Sequence, residues 1–320
     1  MLNISDRRLK TTNRLFEYAN SIWVKYSDYV ITENSDGIKH LQPAPNALPK
    51  PYDPVEVFEN IALDAVKVGQ LCMSQEAAED EKHEAIRGFA LKYGLLGIMT
   101  AIPTTPRFLP YEKVFFPKNH FIREESLTVE KYLDEFFPFK KPNIRKNGSE
   151  YSWDIEGGKE VVLLGMLRDG RPDEIHMTFQ REYAERLYWM EEQFRDWAFN
   201  LMVIFFYYED KDGFTEKQKE FHKQSMAAFD GLTPTYHIGL MDDRPYLVWN
   251  FNSLLQGIHL MLSMMLTDDS RPIRMCKNCG KAFIARRHRD KFCGRECSEE
   301  YRNFDQEKKI NASSMASAGN

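Results

Sequence analysis

Four of the five cysteines fall within 22 consecutive positions, "CKNCGKAFIARRHRDKFCGREC", residues 276–297. Cys276 and Cys279 form a C-x-x-C and Cys293 and Cys297 a C-x-x-x-C, with 13 residues between the pairs. Two close pairs joined by a loop are the usual way to present four thiolates to a tetrahedral structural Zn²⁺. Unrelated cysteines or a redox pair are the rival reading. The local order favours the metal. Gly280 follows the first pair, where a knuckle turn needs a residue tolerant of unusual φ. "KAF" and "DKF" can then pair as a short hairpin, and "CGRECSEEYRNFDQEKK" reads as a helix whose start carries the second pair. Spacing of four puts Cys293 and Cys297 on one helical face, and a helix N-terminus favours thiolates.

Knuckle, hairpin and helix in that order form a treble-clef-like module over residues 271–310, with Phe283, Phe292 and Tyr301 as its small apolar core. A segment this short buries too little surface to fold unaided, whereas metal binding contributes on the order of 10 kcal/mol. Four protein ligands close the site to water, which argues against hydrolytic zinc.

The same segment is basic. From Arg271 to Lys309 it carries 12 Lys and Arg against 6 Asp and Glu, which leaves 31 against 42 in the rest of a chain of net charge −5. Arg286, Arg287, Arg289 and Lys291 fall in the loop between the cysteine pairs, with His288 among them, and Arg295 and Arg302 in the helix. Cations so displayed can contact phosphates. Zn²⁺ with four thiolates is itself a dianion that attracts two or three cations, so charge compensation and protein contact stand beside nucleic-acid contact as readings. No aromatic interleaves the loop, which disfavours a single-strand groove.

"RMCKNCGKAFIARRHRDKFCGREC", following an apolar helix, resembles the CGNR zinc finger. The shared elements are an Arg before the first Cys, a Phe after the first pair, an Arg-rich loop, an aromatic-Cys entry to the second pair and a basic helix. The resemblance covers about 40–60 residues. It implies ligand roles for Cys276, Cys279, Cys293 and Cys297, and DNA binding of the kind found in bacterial transcription regulators. Both pairs are more tightly spaced here, and Ser298, Glu299 and Glu300 stand where the family has Gly-Asn-Arg.

The 320 residues are enough for one large or two ordinary domains, and 42% hydrophobic with 28% charged residues is a globular profile. The N-terminal stretch lacks an apolar leader, and the longest apolar run, "LMVIFFYY" at 201–208, is too short to span a bilayer. Clustered rather than scattered cysteines suit a reducing compartment, so a cytoplasmic protein with no membrane partner is expected. The lone Cys72 reads as a small buried apolar residue.

The periodicity predicts an α+β, helix-dominated body over 53–270. A polar N-terminal segment, 1–52, with a helical start precedes it and ends in a proline-rich connector, "LQPAPNALPKPYDP". Helices are expected at 54–73, with Asp53 and Glu56 as capping box, and at 75–94, capped by Ser74. Others are expected near 127–136, at 181–208 and 215–229, and over "NSLLQGIHLMLSMML". "VVLLGMLRDGRPDEIHMTF" reads as two strands and "YHIGLMDDRPYLVWNF" as a hairpin, while 311–320 reads as a disordered tail. The aromatic stripe of 181–208 is a core face, not a cofactor box.

No Gly-rich phosphate loop, G-x-S-x-G or H-E-x-x-H occurs, and the eight histidines are scattered. His83 lies on an acidic face; His176, His237 and His259 fall in core elements. No catalytic residue can be named. The sequence therefore points to a zinc finger contacting DNA, a transcription regulator. The alternatives are a protein-interaction scaffold, or an enzyme in the body that acts on nucleic acid.

Overall fold

Alternation of apolar and polar residues makes strands of a stretch rich in turn signals. In the computed structural model, β1 (Ala19–Asn20), β2 (Trp23–Tyr26), β3 (Tyr29–Glu33), β4 (Lys39–Pro43) and β5 (Pro49–Tyr52) occupy the N-terminal region. The structure describes residues 19–20, 23–52, 54–98, 113–115, 121, 126–141, 143–147, 150–155, 159–162, 181–210, 213–227, 235–241, 244–250, 253–267, 273–287, 289–304 and 306. The proline-rich connector is thus half strand. Pro49 and Pro51 sit in β5 opposite Tyr26 and Val24 of β2. Each pair of strands leaves an edge where a missing N–H costs little. β3 and β4 form a hairpin whose turn is held by Asn34, its Oδ1 accepting from the N–H of Asp36 and Ile38 at 3.0 and 2.9 Å.

A single 3-10 turn, Pro54–Val57, leads into α1 (Phe58–Met73), and α2 (Glu79–Tyr93) follows. Asp53 lies outside the described residues. α2 begins four residues later than its periodicity suggests, because Ser74 closes α1 and its Oγ accepts from the N–H of Glu76 in a turn. Glu79, Asp80 and Glu81 then fill the first turn, where the helix dipole favours anions.

Downstream come β6 (Lys113–Phe115), β7 (Ser126–Thr128) and α3 (Val129–Phe136), capped by Thr128, whose Oγ1 accepts from the N–H of Lys131. An antiparallel meander, β8 (Asn143–Asn147), β9 (Glu150–Ile155) and β10 (Lys159–Val162), follows, and the "RDGRPD" turn lies outside the described residues. β11 (Glu185–Arg186) interrupts the expected long helix by pairing with β4, so α4 runs Leu187–Asp210. α5 (Glu216–Ala227), the hairpin β12 (Thr235–Met241) and β13 (Arg244–Asn250), and α6 (Leu254–Thr267) stand where expected. The chain ends in β14 (Ile273–Met275), β15 (Ala282–Ile284) and α7, residues 295–304. The architecture is mixed helix and sheet. Among the described residues no helix is long and apolar enough to cross a membrane.

The core lies around α1, which packs on α2, α4, α6 and β15. Ile61, Ala65 and Val66 of α1 are wholly buried, as are Met190, Phe194 and Ile258 from α4 and α6. The aromatic stripe of α4 is core: Trp197 meets Phe194 edge-on, and Phe194 meets Phe89 of α2 the same way. Cys72 is buried here too, and burial, with the charge of Glu191 second, pushes its thiol up to about 12.

α1 and α4 touch backbone to backbone. A Cβ on Gly69 would lie 1.9 Å from the carbonyl oxygen of Phe194, so only glycine fits. Gly69→Ala must force the helices apart. It should destabilise the protein by about 2 kcal/mol or more, read as a lower urea midpoint with an unchanged slope.

Among the described residues Glu185 is the one buried acid, 1% exposed. Its carboxylate accepts from the N–H of Leu96 and Ile98, each at 2.8 Å, and from the Tyr183 hydroxyl at 2.9 Å, so it clasps the segment that leaves α2. Burial outweighs these donors and raises its carboxyl from 4.5 to about 7. The fold therefore favours the protonated acid. That contribution is complete below about pH 4.5 and is lost as pH rises through about 7, on the order of 3 kcal/mol at most. Glu185→Gln does not titrate. Urea unfolding from pH 5 to 8 should show wild-type stability falling relative to the variant, and parallel curves would contradict the assignment.

Candidate metal centre

The four clustered cysteines converge. Their sulfurs all lie within 4.8 Å of one another, and none of the five cysteines forms a disulfide. The Sγ atoms of Cys279 and Cys293 are 3.8 Å apart and those of Cys293 and Cys297 3.5 Å.

Local backbone chemistry makes the cluster. β14 and β15 pair antiparallel, Ile273 opposite Ile284 and Met275 opposite Ala282, with Cys276 to Lys281 as the connecting turn. The turn needs Gly280, which has φ 71° and donates its N–H to the carbonyl of Cys276 at 2.9 Å. This hairpin replaces the expected "KAF"–"DKF" pairing. The knuckle already sets the strands before and after it side by side, and "DKF" makes one link instead, the N–H of Lys277 donating to the carbonyl of Lys291 at 3.0 Å. That link carries the returning chain past the knuckle to Cys293. α7 starts at residue 295, so Cys293 stands just ahead of it and Cys297 in its first turn. The Asn278 side chain donates to a Glu300 carboxylate oxygen at 2.7 Å and ties α7 to the knuckle.

The sulfurs differ in surroundings. Cys276 is buried, which opposes its thiolate, but the N–H groups of Cys279, Cys293 and Asn278 more than offset this and bring the thiol down to about 7. The Cys293 thiol is pushed up to about 12, by desolvation of its sulfur and then by the sulfurs of Cys297, Cys276 and Cys279. One negative charge is accommodated and further charges are resisted. A divalent cation is the natural relief.

The hairpin leans on the body. Ile273 and Ala282 belong to the main core, Met275 and Ile284 pack against it, and Ala285 is wholly buried. On the far side Phe292 and Tyr301 pair at 5.3 Å while Tyr301 remains 36% exposed, so the expected trio of Phe283, Phe292 and Tyr301 is not a closed core. The attachment is polar as well. Gln70 of α1 donates its Nε2 to the carbonyl of Gly280 at 2.8 Å and accepts on Oε1 from the N–H of Ala282 at 3.0 Å. Its amide stands in for a peptide group and extends the β15 edge.

Arg286, Arg287, Arg289 and Lys291 are exposed in the loop between β15 and α7; His288 lies outside the described residues. Asp290 is the sole acid of that loop, and its carboxylate is engaged with backbone, accepting from the N–H of Arg286 and Arg287 at 3.1 and 3.0 Å. It shapes the turn without covering the guanidinium groups. Arg295 and Arg302 are exposed on α7, but Arg295 pairs with Glu299 at 2.6 Å.

Glu79, His83 and Glu191 form a second grouping of donors within 4.8 Å of one another. It sits at the positive end of α2, and Lys82 already donates to Glu79 at 3.0 Å. His259 is half-buried between α6 and α4 with its ring edge-on to Trp197, a packing role. Nothing in the residue pattern marks Gln70 or Glu185, since both are polar residues in ordinary helical or strand surroundings. Compared with protein-family models, curated proteins and solved structures, the chain finds no match.

Proposed function

We propose that the four cysteines hold one structural Zn²⁺ in a treble-clef-like finger, and that the finger contacts the phosphate backbone of DNA. The observation that carries the metal is the sulfur geometry. Zn–S bonds of about 2.3 Å in a tetrahedron give sulfur–sulfur edges of about 3.8 Å, and the separations here are 3.8 and 3.5 Å. The donor set is all thiolate, which suits zinc over harder cations. A knuckle at the tip of the β14–β15 hairpin and a helix carrying the last ligand are parts that a treble clef also has.

Four guanidinium or ammonium groups beside the closed site exceed what a dianionic centre needs, and their loop leaves them solvent-facing. This agrees with the resemblance to the CGNR finger and with a role in transcription regulation. The DNA contact falls to Arg286, Arg287, Arg289 and Lys291, with Arg302. Arg295 contributes less because Glu299 engages it. A second reading, docking on a partner protein, draws support from Tyr301 and Phe304, which are 36% and 54% exposed on α7.

Elemental analysis of the purified chain should find about one zinc per molecule. A strong chelator should remove it and raise the number of reactive thiols by four, and a chain purified without metal would refute the centre. For DNA, affinity for a mixed-sequence duplex should fall steeply with salt. Replacing Arg286, Arg287 and Arg289 with Ala should weaken it at least about tenfold and reduce the log–log salt slope by up to about 3. An unchanged slope would refute phosphate contact by the loop. Capture of protein in place of DNA would favour the second reading.

A further inference from the structure

The four sulfurs of the finger present unequal access to solvent. Cys276 is 2% exposed at the end of β14, and Cys297 is half-buried in the first turn of α7, whereas Cys279 and Cys293 are exposed. These two exposed residues come from opposite halves of the finger, the knuckle and the approach to α7, and their sulfurs stand 3.8 Å apart. Closing them to a disulfide length of about 2.05 Å requires a movement of roughly 1.8 Å. Susceptible thiols combine thiolate character with exposure. A zinc-bound sulfur is held as thiolate at neutral pH, and exposure singles out this pair.

We infer that Cys279 and Cys293 are a redox modification site, at which hydrogen peroxide oxidises the two sulfurs to a disulfide and the metal is discharged. One thiolate attacks the peroxide O–O bond and becomes a sulfenic acid, releasing water after taking up a proton. The second thiolate attacks that sulfur, and the hydroxyl leaves as a second water with another proton. Two electrons pass from the two sulfurs to one peroxide. Cys276 and Cys297 alone cannot complete a tetrahedral shell, so the ion dissociates. The consequence is asymmetric. The β14–β15 side stays on the body through Gln70 and Ile273, and the new disulfide keeps the end of the basic loop tied to the knuckle, while α7 loses the tie that Cys297 made through the ion and is left with the Asn278–Glu300 bond.

This inference rests on the zinc reading, and the test separates the two. The zinc-loaded full chain is treated with hydrogen peroxide in the presence of a chromophoric zinc chelator, then alkylated and digested for disulfide mapping. About one equivalent of zinc should be released together with a Cys279–Cys293 linkage, and dithiothreitol plus zinc should restore the reduced, loaded protein. Zinc retained under conditions that oxidise an equal amount of a small free thiol overturns the inference and leaves the metal centre intact. Release with a different linkage, or with sulfonic acids in place of a disulfide, also overturns it. Zinc absent before any oxidant is added overturns the metal centre, and the inference with it.

Discussion

Two neighbouring residues of α1 hold the molecule together in opposite ways. Gly69 lets α1 approach α4 until a carbonyl oxygen occupies the place of a side chain. Gln70 then reaches outward and hydrogen-bonds the backbone of Gly280 and Ala282, where the turn that carries Cys276 and Cys279 passes into β15. Absence of a side chain sets the depth of the helix in the core, and an amide at the next position registers the cysteine module against it. Close packing is what makes the second contact rigid, because a loosely seated helix would carry its amide through several positions. The cysteines thus converge on a platform that the core has already fixed.

Charge is organised around the same place. The body is acidic and the C-terminal segment basic, yet the acids within that segment act locally. Asp290 secures a loop, Glu300 joins helix to knuckle and Glu299 engages Arg295. The loop arginines, Lys291 and Arg302 are left as outward-facing cations by this arrangement. An exposed pair such as Arg295 with Glu299 contributes little stability; its effect is to remove one cation from the surface. Glu185 does the opposite inside the body, where a buried carboxyl organises the exit from α2 through backbone N–H groups and the Tyr183 hydroxyl.

The cysteine pairs and the helices were legible because each obeys a short-range rule. Spacing of three and four residues puts sulfurs side by side, and apolar periodicity marked α1, α4 and α6, whose stripes are the core. The N-terminal strands were not legible as such. The prolines of β5 suggested an irregular connector, and only pairing with β2, more than 20 residues away, makes them strand. Glu185 looked like the start of a helix, because its bonds to Leu96 and Ile98 depend on a loop nearly 90 residues distant. Likewise the pattern of the cysteine segment suggested a private apolar core. In the fold Ile273 and Ala282 are shared with the body, a fact no window of 40 residues contains.

That sharing bears on how such a module can be moved between proteins. A segment lifted out at residue 271 would carry its sulfurs intact but would turn Ile273, Ala282 and Ala285 to water and leave the backbone of Gly280 and Ala282 without their amide partner. To graft it elsewhere, a recipient would have to offer a glutamine one position past a glycine on a deeply seated helix. The module is portable only together with its socket.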